Sequence, residues 1–347
     1  MKIAMMTHWN DETGAAVHAK ALVNAWREMG HKVTVFSFLR DDFREDRFTT
    51  GKDESYVIRC FGKNSLDPRP MLTSEFDIFV VEDLRTLPLE QLAMIFPMIR
   101  NRARTVHIVH EDKLPEEARF YQLPWDKVVY FDERQEFLKD VYPGADFIPF
   151  PCFPVRRGDK YESRERLNLP KDAKIIFTFC QRGYSPYLRY LCEELKYKHK
   201  AVLLFVIPQG YEMLEKESAP PWMIVREEGA LSVERFDEYL FASDVVIFHK
   251  YKNRYLRLVS ATIFQAIGAG CPIFIPQQSE YFQPLKDEVI YYSDTEDLCK
   301  KVTAFCDDER IAKSVIEAEE VYTRVKSADK IAEIYIDVFT RVLKERG

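Results

Sequence analysis

The chain has no run of apolar residues approaching the ~20 needed to span a bilayer, and its opening apolar stretch, Met1 to Met6, is too short for a signal peptide. It has no excess of positive charge: the formal net charge is −6, which argues against nucleic acid as the main partner. Its seven cysteines form no CxxC pair, and their odd number does not suit a disulfide framework, so they read as free thiols of a reducing, cytoplasmic compartment. The spacing of Cys, His and Asp offers no zinc-type ligand set, and no metal is expected. No Gly-x-Gly-x-x-Gly follows the first apolar strand, which disfavours a dinucleotide-dependent oxidoreductase. Nor do the extra carboxylates expected of a nucleotide-sugar epimerase stand out.

What is present is a repeated grammar. Lys2–Thr7 is an apolar strand, a loop from His8 carries Gly14, and Val17, Ala21, Leu22, Ala25, Trp26 and Met29 recur at helical spacing. Gly30 stops that helix and Val33–Phe36 is a second strand. Strand, helix and strand with a crossover of this length make a parallel unit. The alternation runs on through Asp77–Val81, a helix over Pro88–Asn101, Thr105–His110, Lys127–Phe131, a short helix over Arg134–Val141, and Phe147–Pro149. Prolines 149, 151 and 154, with Arg156-Arg157-Gly158, read as a linker. The pattern restarts at Lys174–Cys180, with strands at Ala201–Ile207, Trp222–Arg226, Asp244–Phe248 and Pro272–Pro276. Helices lie between them at Tyr187–Lys196, Val233–Ala242 and Thr262–Gly268, and more follow from Thr295 to the end.

With 347 residues this predicts an α/β protein of two Rossmann-like, doubly wound parallel-sheet domains facing a cleft. The expected division is 1–152 for the first and 153–329 for the second, with a helix over 330–347 packing back on the first. Open parallel sheets bind ligands beyond the carboxyl ends of their strands. Function is therefore sought in His8–Gly14, His110–Lys113, Gln181–Pro186 and His249–Thr262.

Three stretches then carry a family resemblance. GAAVHAKALVNAWREMGHKVTVF, from Gly14, resembles the opening of GT-B glycosyltransferases of family 4, where a glycine loop precedes a helix ending in Gly-His-x-Val-Thr-Val. EEGALSVERFDEYLFASDVVIFHKY resembles that family's Leu-Ser turn, acidic helix and Ala-x-Asp-Val-Val strand. SATIFQAIGAGCPIFIP resembles its Ser-x-x-x-x-Glu-Ala-x-x-x-Gly-x-Pro helix. The likeness runs through nearly the whole chain in order. It implies transfer of a sugar from a nucleotide diphosphate sugar, UDP- or GDP-linked, to an acceptor (glycan, lipid or small molecule), with retention of configuration. No separate cofactor is implied, and peripheral membrane association is not indicated.

The residues supply their own reading of the donor side. Lys250, Lys252, Arg254 and Arg257 crowd a loop after a buried strand, and Ser260, Ala261 and Thr262 open a helix whose free N–H groups and small side chains suit a diphosphate. A solvated basic loop with an ordinary helix start is the plainer alternative. The family's two glutamates fall here on Arg257 and Gln265. Gln265 can still hydrogen-bond a hydroxyl, whereas Arg257 cannot imitate a carboxylate, and the alternative is a non-catalytic scaffold or partner subunit. Arg182 takes the place of the family's diphosphate arginine.

On the other side, His110 ends an apolar strand where the family has a histidine facing the donor sugar, and an imidazole suits proton traffic near neutrality. A plain loop histidine is the competing reading. Gly14 and Ala15 open the first helix where the family's small residues approach acceptor or donor, a plain turn glycine being the alternative, and the resemblance implies that His249 lines the donor pocket. His8 and Trp9 read as an aromatic platform, Asp11 and Glu12 as hydroxyl binders or helix caps, and His107 as a core histidine.

Overall fold

The computed structural model describes residues 1–11, 13–40, 52–111, 123–179, 193–208, 219–229, 231–249, 259–282 and 285–345. Contacts divide the chain into two compact units. Met1–Cys152, the described stretch 259–261 and the returning Lys326–Gly347 belong to the first, Phe153–Arg254 and Thr262–Val325 to the second.

The first unit carries strands β1 (Lys2–Met6), β2 (Lys32–Phe38), β3 (Val57–Phe61), β4 (Ile78–Glu82), β5 (Arg104–Val109), β6 (Lys127–Tyr130) and β7 (Asp146–Phe147). They form one sheet in the order β3-β2-β1-β4-β5-β6-β7, and every pair in it is parallel. Helix α1 (Gly14–Glu28) follows β1, and Thr13 caps it by accepting the Ala16 N–H at 3.1 Å. The short α2 (Arg69–Thr73) and then α3 (Leu89–Arg100) flank β4, while the predicted helix after β6 is a 3-10 segment, Glu133–Asp140. Leu92, Ile95, Phe96 and Ile99 of α3 sit in the core with Phe36, Phe79 and Val81 of the sheet.

The second unit repeats the plan. Its strands are β8 (Ile175–Phe179), β9 (Val202–Pro208), β10 (Met223–Glu228), β11 (Val245–Ile247), β12 (Ile273–Pro276) and β13 (Ile290–Tyr292), again all parallel, in the order β10-β9-β8-β11-β12-β13. Around them lie α4 (Lys160–Arg166), α5 (Glu193–Lys198), α6 (Val233–Ala242), α7 (Ala261–Ala266), α8 (Thr295–Asp307) and α9 (Glu309–Lys326). The sequence reading missed β3, β13, α2 and α4, each short and without a clean period. It placed α7 over Thr262–Gly268; α7 stops at Ala266 because Gly268 turns the chain left-handed at φ 83°.

The last helix, α10 (Ala328–Lys344), packs on α1 within the first unit. Tyr335 and Phe339 close over Trp26, whose indole N–H donates to the Ala332 carbonyl at 3.4 Å. A parallel bridge between Cys152 and Ser327 lays the two chain crossings side by side. No described helix is long and apolar enough to cross a membrane.

Both sheets thus have the doubly wound order in which the chain reverses direction beside the first strand. The switch point falls between β1 and β4 in one unit and between β8 and β11 in the other, which is where such sheets take their ligands.

Candidate functional site

In the first unit the switch point is crowded with titratable groups. Four of the seven histidines contact β4 or the turn after it. Glu82, the last residue of β4, is wholly buried. Its Oε1 lies 2.7 Å from His18 Nδ1 of α1, and its Oε2 accepts the Thr7 hydroxyl at 2.9 Å. His110 Nε2 stands 3.8 Å from the same Oε2, too far for a hydrogen bond. Burial pushes the Glu82 carboxyl up to about 7, against the opposing pull of His110. It pushes His18 and His110 down to about 3, so both imidazoles are held neutral.

The next residue, Asp83, is left-handed at φ 53°, a conformation that non-glycine residues adopt at some cost and that concentrates at functional sites. Burial and the neighbouring Glu111 charge raise its carboxyl to about 6. Asn10, in the loop after β1, is also left-handed. Glu111 is spent on the backbone, accepting the His110 N–H at 3.0 Å and the Arg85 N–H at 3.2 Å. Burial raises its pKa. His107 is a core histidine: Nδ1 faces the Val81 carbonyl at 3.1 Å, and its ring lies against Trp125.

The loop after β1 differs from expectation. Trp9 is fully buried, its indole N–H donating to Glu54 at 2.9 Å, and His8 is buried against Phe38. Neither ring is exposed as a platform for a sugar. His8 instead forms a dyad with Asp11, Nδ1 to Oδ2 at 2.7 Å, with its Nε2 3.0 Å from the Thr86 hydroxyl. Burial lowers the His8 pKa, but the Asp11 hydrogen bond and charge outweigh it and the net shift is upward. Asp11 also holds Thr13 through its N–H and hydroxyl at 2.8 and 2.6 Å. The helix cap is therefore Thr13, with Asp11 supporting it; Glu12 lies outside the described residues. Gly14 is exposed at the start of α1, and Ala15 is buried.

In the second unit His249, just beyond β11, stacks on Tyr292 at the end of β13, with Nδ1 2.5 Å from the phenol oxygen. Burial lowers its pKa to about 4. Ser260 and Thr262 are buried, while Ala261 and Gln265 are partly exposed. At six residues, α7 is too short for its dipole to carry a site by itself. Arg182, Lys250, Lys252, Arg254, Arg257 and Asp112 lie outside the described residues.

One contact here was not expected. Arg156, read as part of a linker, pairs bidentately with Asp237 of α6 at 2.6 Å for both contacts, and donates as well to the Gln265 carbonyl of α7. Its own N–H bonds the Gly268 carbonyl at 3.1 Å. The arginine is thus a strut that fixes the backbone of the Gln265 helix. Glu228 is likewise occupied, by Arg235 at 2.8 Å and by the Tyr239 hydroxyl.

The spacing of the sequence offers no metal-ligand set, yet the fold assembles one. His18, Glu82 and His110 each bring a ligand atom within 4.8 Å of the others, all three buried.

No family model matches the chain. Solved structures do resemble it over its whole length. A glycosyltransferase from Rickettsia africae ESF-5 matches with a TM-score of 0.67 at 13% identity, covering 99% of this chain and 98% of its own. An α-glucosyltransferase solved with UDP matches with a TM-score of 0.68 at 13% identity, over 98% and 100%. The catalytic domain of starch synthase IV from Arabidopsis thaliana, bound to ADP and acarbose, matches with a TM-score of 0.65 at 10% identity, over 99% of both chains. The chain has the two-domain parallel-sheet fold of these glycosyltransferases.

Proposed function

We propose that the protein is a glycosyltransferase that moves a sugar, with retention of configuration, from a nucleotide diphosphate sugar to an acceptor. The observation that carries this reading is the pairing of two sheets with the same switch-point topology, matched end to end by proteins whose structures hold UDP or ADP. Such folds host several chemistries, so the resemblance of the motifs around Gly14, Asp244 and Ser260 is what narrows the reading to sugar transfer. UDP or GDP is the expected carrier, and the starch synthase likeness adds ADP.

In this reading the donor diphosphate is met by Arg182, Lys250 and Arg257 with the Ser260–Thr262 backbone, its leaving charge balanced by cations and N–H donors. Gln265 takes a donor hydroxyl, and its backbone is already fixed by Arg156. His249, Gly14 and Ala15 line the donor and acceptor pockets, and His110 serves the sugar. The acceptor class is open; an α-glucosyltransferase of the same fold was solved with UDP and a 13-mer DNA containing a HMU base, whereas the net charge of −6 gives this chain no overall attraction for a polyanion.

Nucleotide release from UDP-, GDP- and ADP-sugars, offered with a panel of glycan and lipid acceptors, tests the reading. One donor should be turned over, the anomeric configuration of the product should match the donor's, and Gln265→Ala should slow turnover by at least about tenfold. Turnover undiminished in Gln265→Ala would remove that residue from the site.

A further inference from the structure

The triad at the end of β4 holds two groups, His18 and Glu82, to which the proposed transfer assigns no role. Glu82 is fully buried between two histidines, and among the described residues the hydroxyl bound to it is that of Thr7. Among the described residues, His110 Nε2 and the hydroxyl of Tyr335 are each buried without a hydrogen-bond partner. Buried polar atoms are rarely left this way, and two beside one carboxylate call for an explanation. The surroundings are aromatic: Phe131 and Phe150 flank the His18 ring at 5.6 and 4.9 Å, and Tyr335 lies 6.3 Å from it. The His18 and His110 rings meet edge to face at 5.3 Å.

We infer that His18, Glu82 and His110 form a binding site for a divalent first-row transition ion of the zinc class. Two imidazoles and one carboxylate are a donor set that zinc accepts, with a fourth position left for water. Imidazole nitrogen selects against magnesium and calcium, which prefer all-oxygen shells. The separations fit: donors at about 2.1 Å around a tetrahedral ion stand roughly 3.4 Å apart, and His110 Nε2 is 3.8 Å from Glu82 Oε2. His18 would exchange its 2.7 Å hydrogen bond to Oε1 for the ion. The ion offsets the charge of a carboxylate that is otherwise expensive to bury. It occupies one ring nitrogen of His110 and leaves the other for a substrate, so metal binding and donor binding are separate measurements.

The full-length chain, stripped with chelator and titrated with Co2+, should take up one equivalent with visible d–d absorption, and Zn2+ should displace it. Glu82→Gln and His110→Asn should each weaken uptake at least about tenfold, while His199→Ala, in the other unit, should leave it unchanged. No uptake, or uptake that both ligand variants retain, would overturn the inference. Should those variants fail to fold, X-ray absorption on the zinc-loaded wild type decides. A first shell of two imidazoles with oxygen supports the site, and sulfur from any of the seven cysteines, or oxygen alone, rejects it.

Discussion

Arg59 shows how single side chains hold the loop beyond β1. Its guanidinium donates to the carbonyls of Phe38 at 2.8 Å and Trp9 at 3.1 Å, and to Asp53 at 2.8 Å. Its hydrogen bond, working against burial, is the main cause that brings the Asp53 carboxyl down to about 2. Because the folded-state pKa lies below the unfolded one, this pair stabilises the protein fully above pH ~4 and loses that contribution as pH falls toward 2. Titration of the Asp53 carboxyl by NMR should give a midpoint near 2 in the wild type and a higher one in Arg59→Ala, where Arg40 and Asn10 still hold the carboxylate. An unchanged midpoint would place the cause elsewhere. Glu82 makes a second residue-scale case. Glu82→Ala leaves His18 Nδ1 and the Thr7 hydroxyl buried without their partner, and should lower the urea-unfolding free energy by about 1–3 kcal/mol. His110 was visible in the sequence because it ends an apolar strand. Glu82 and His18 were not, because what makes them a pair is a contact between residues 64 apart.

Among the elements, those with a clean period were legible and those ruled by tertiary contacts were not. Helix α6 matches its sequence reading from Val233 to Ala242, with Ser232 as its cap. Strand β13 has three residues and is held by pairing with β12, which no local pattern announces. The turn after α7 shows a sequence signal with a physical cause. Gly268 and Gly270 are both left-handed, and a methyl at Gly268 would stand 2.8 Å from the Thr323 hydroxyl oxygen. Gly268→Ala should therefore cost at least ~1–2 kcal/mol, read as a lower thermal midpoint. A neutral substitution would mean the turn can relax. The strut made by Arg156 was not legible, because its partners Asp237 and Gln265 lie far along the chain. Arg156→Lys keeps the charge but loses the bidentate fork. It should destabilise the second unit and, under the proposed function, lower turnover with Gln265 intact; wild-type stability in that variant would contradict the strut.

For the molecule as a whole, the doubling of the strand–helix pattern made the fold class readable, since buried parallel strands write themselves as apolar runs. The chain's return was expected of a helix over 330–347, but its partners on the first unit were not named by the sequence. Ile331, Tyr335, Val338, Phe339 and Val342 of α10 are buried in the first unit, far in sequence from Trp26 against which Tyr335 and Phe339 pack. At ~1.5–3 kcal/mol for each large apolar side chain, their burial rivals the 5–15 kcal/mol that stabilises a typical domain. Ending the chain before Ala328 should leave the first unit unfolded or aggregated by circular dichroism and sedimentation; a cooperative, unaltered transition would show that α10 is dispensable. The donor cations Arg182, Lys250 and Arg257 rest on sequence and resemblance alone, so the central claim is tested most directly by binding. Isothermal calorimetry of the full chain against UDP-, GDP- and ADP-sugars should show one saturable donor, weakened at least about tenfold by Lys250→Ala or Arg182→Ala. Heats indistinguishable from dilution for every donor would contradict the account.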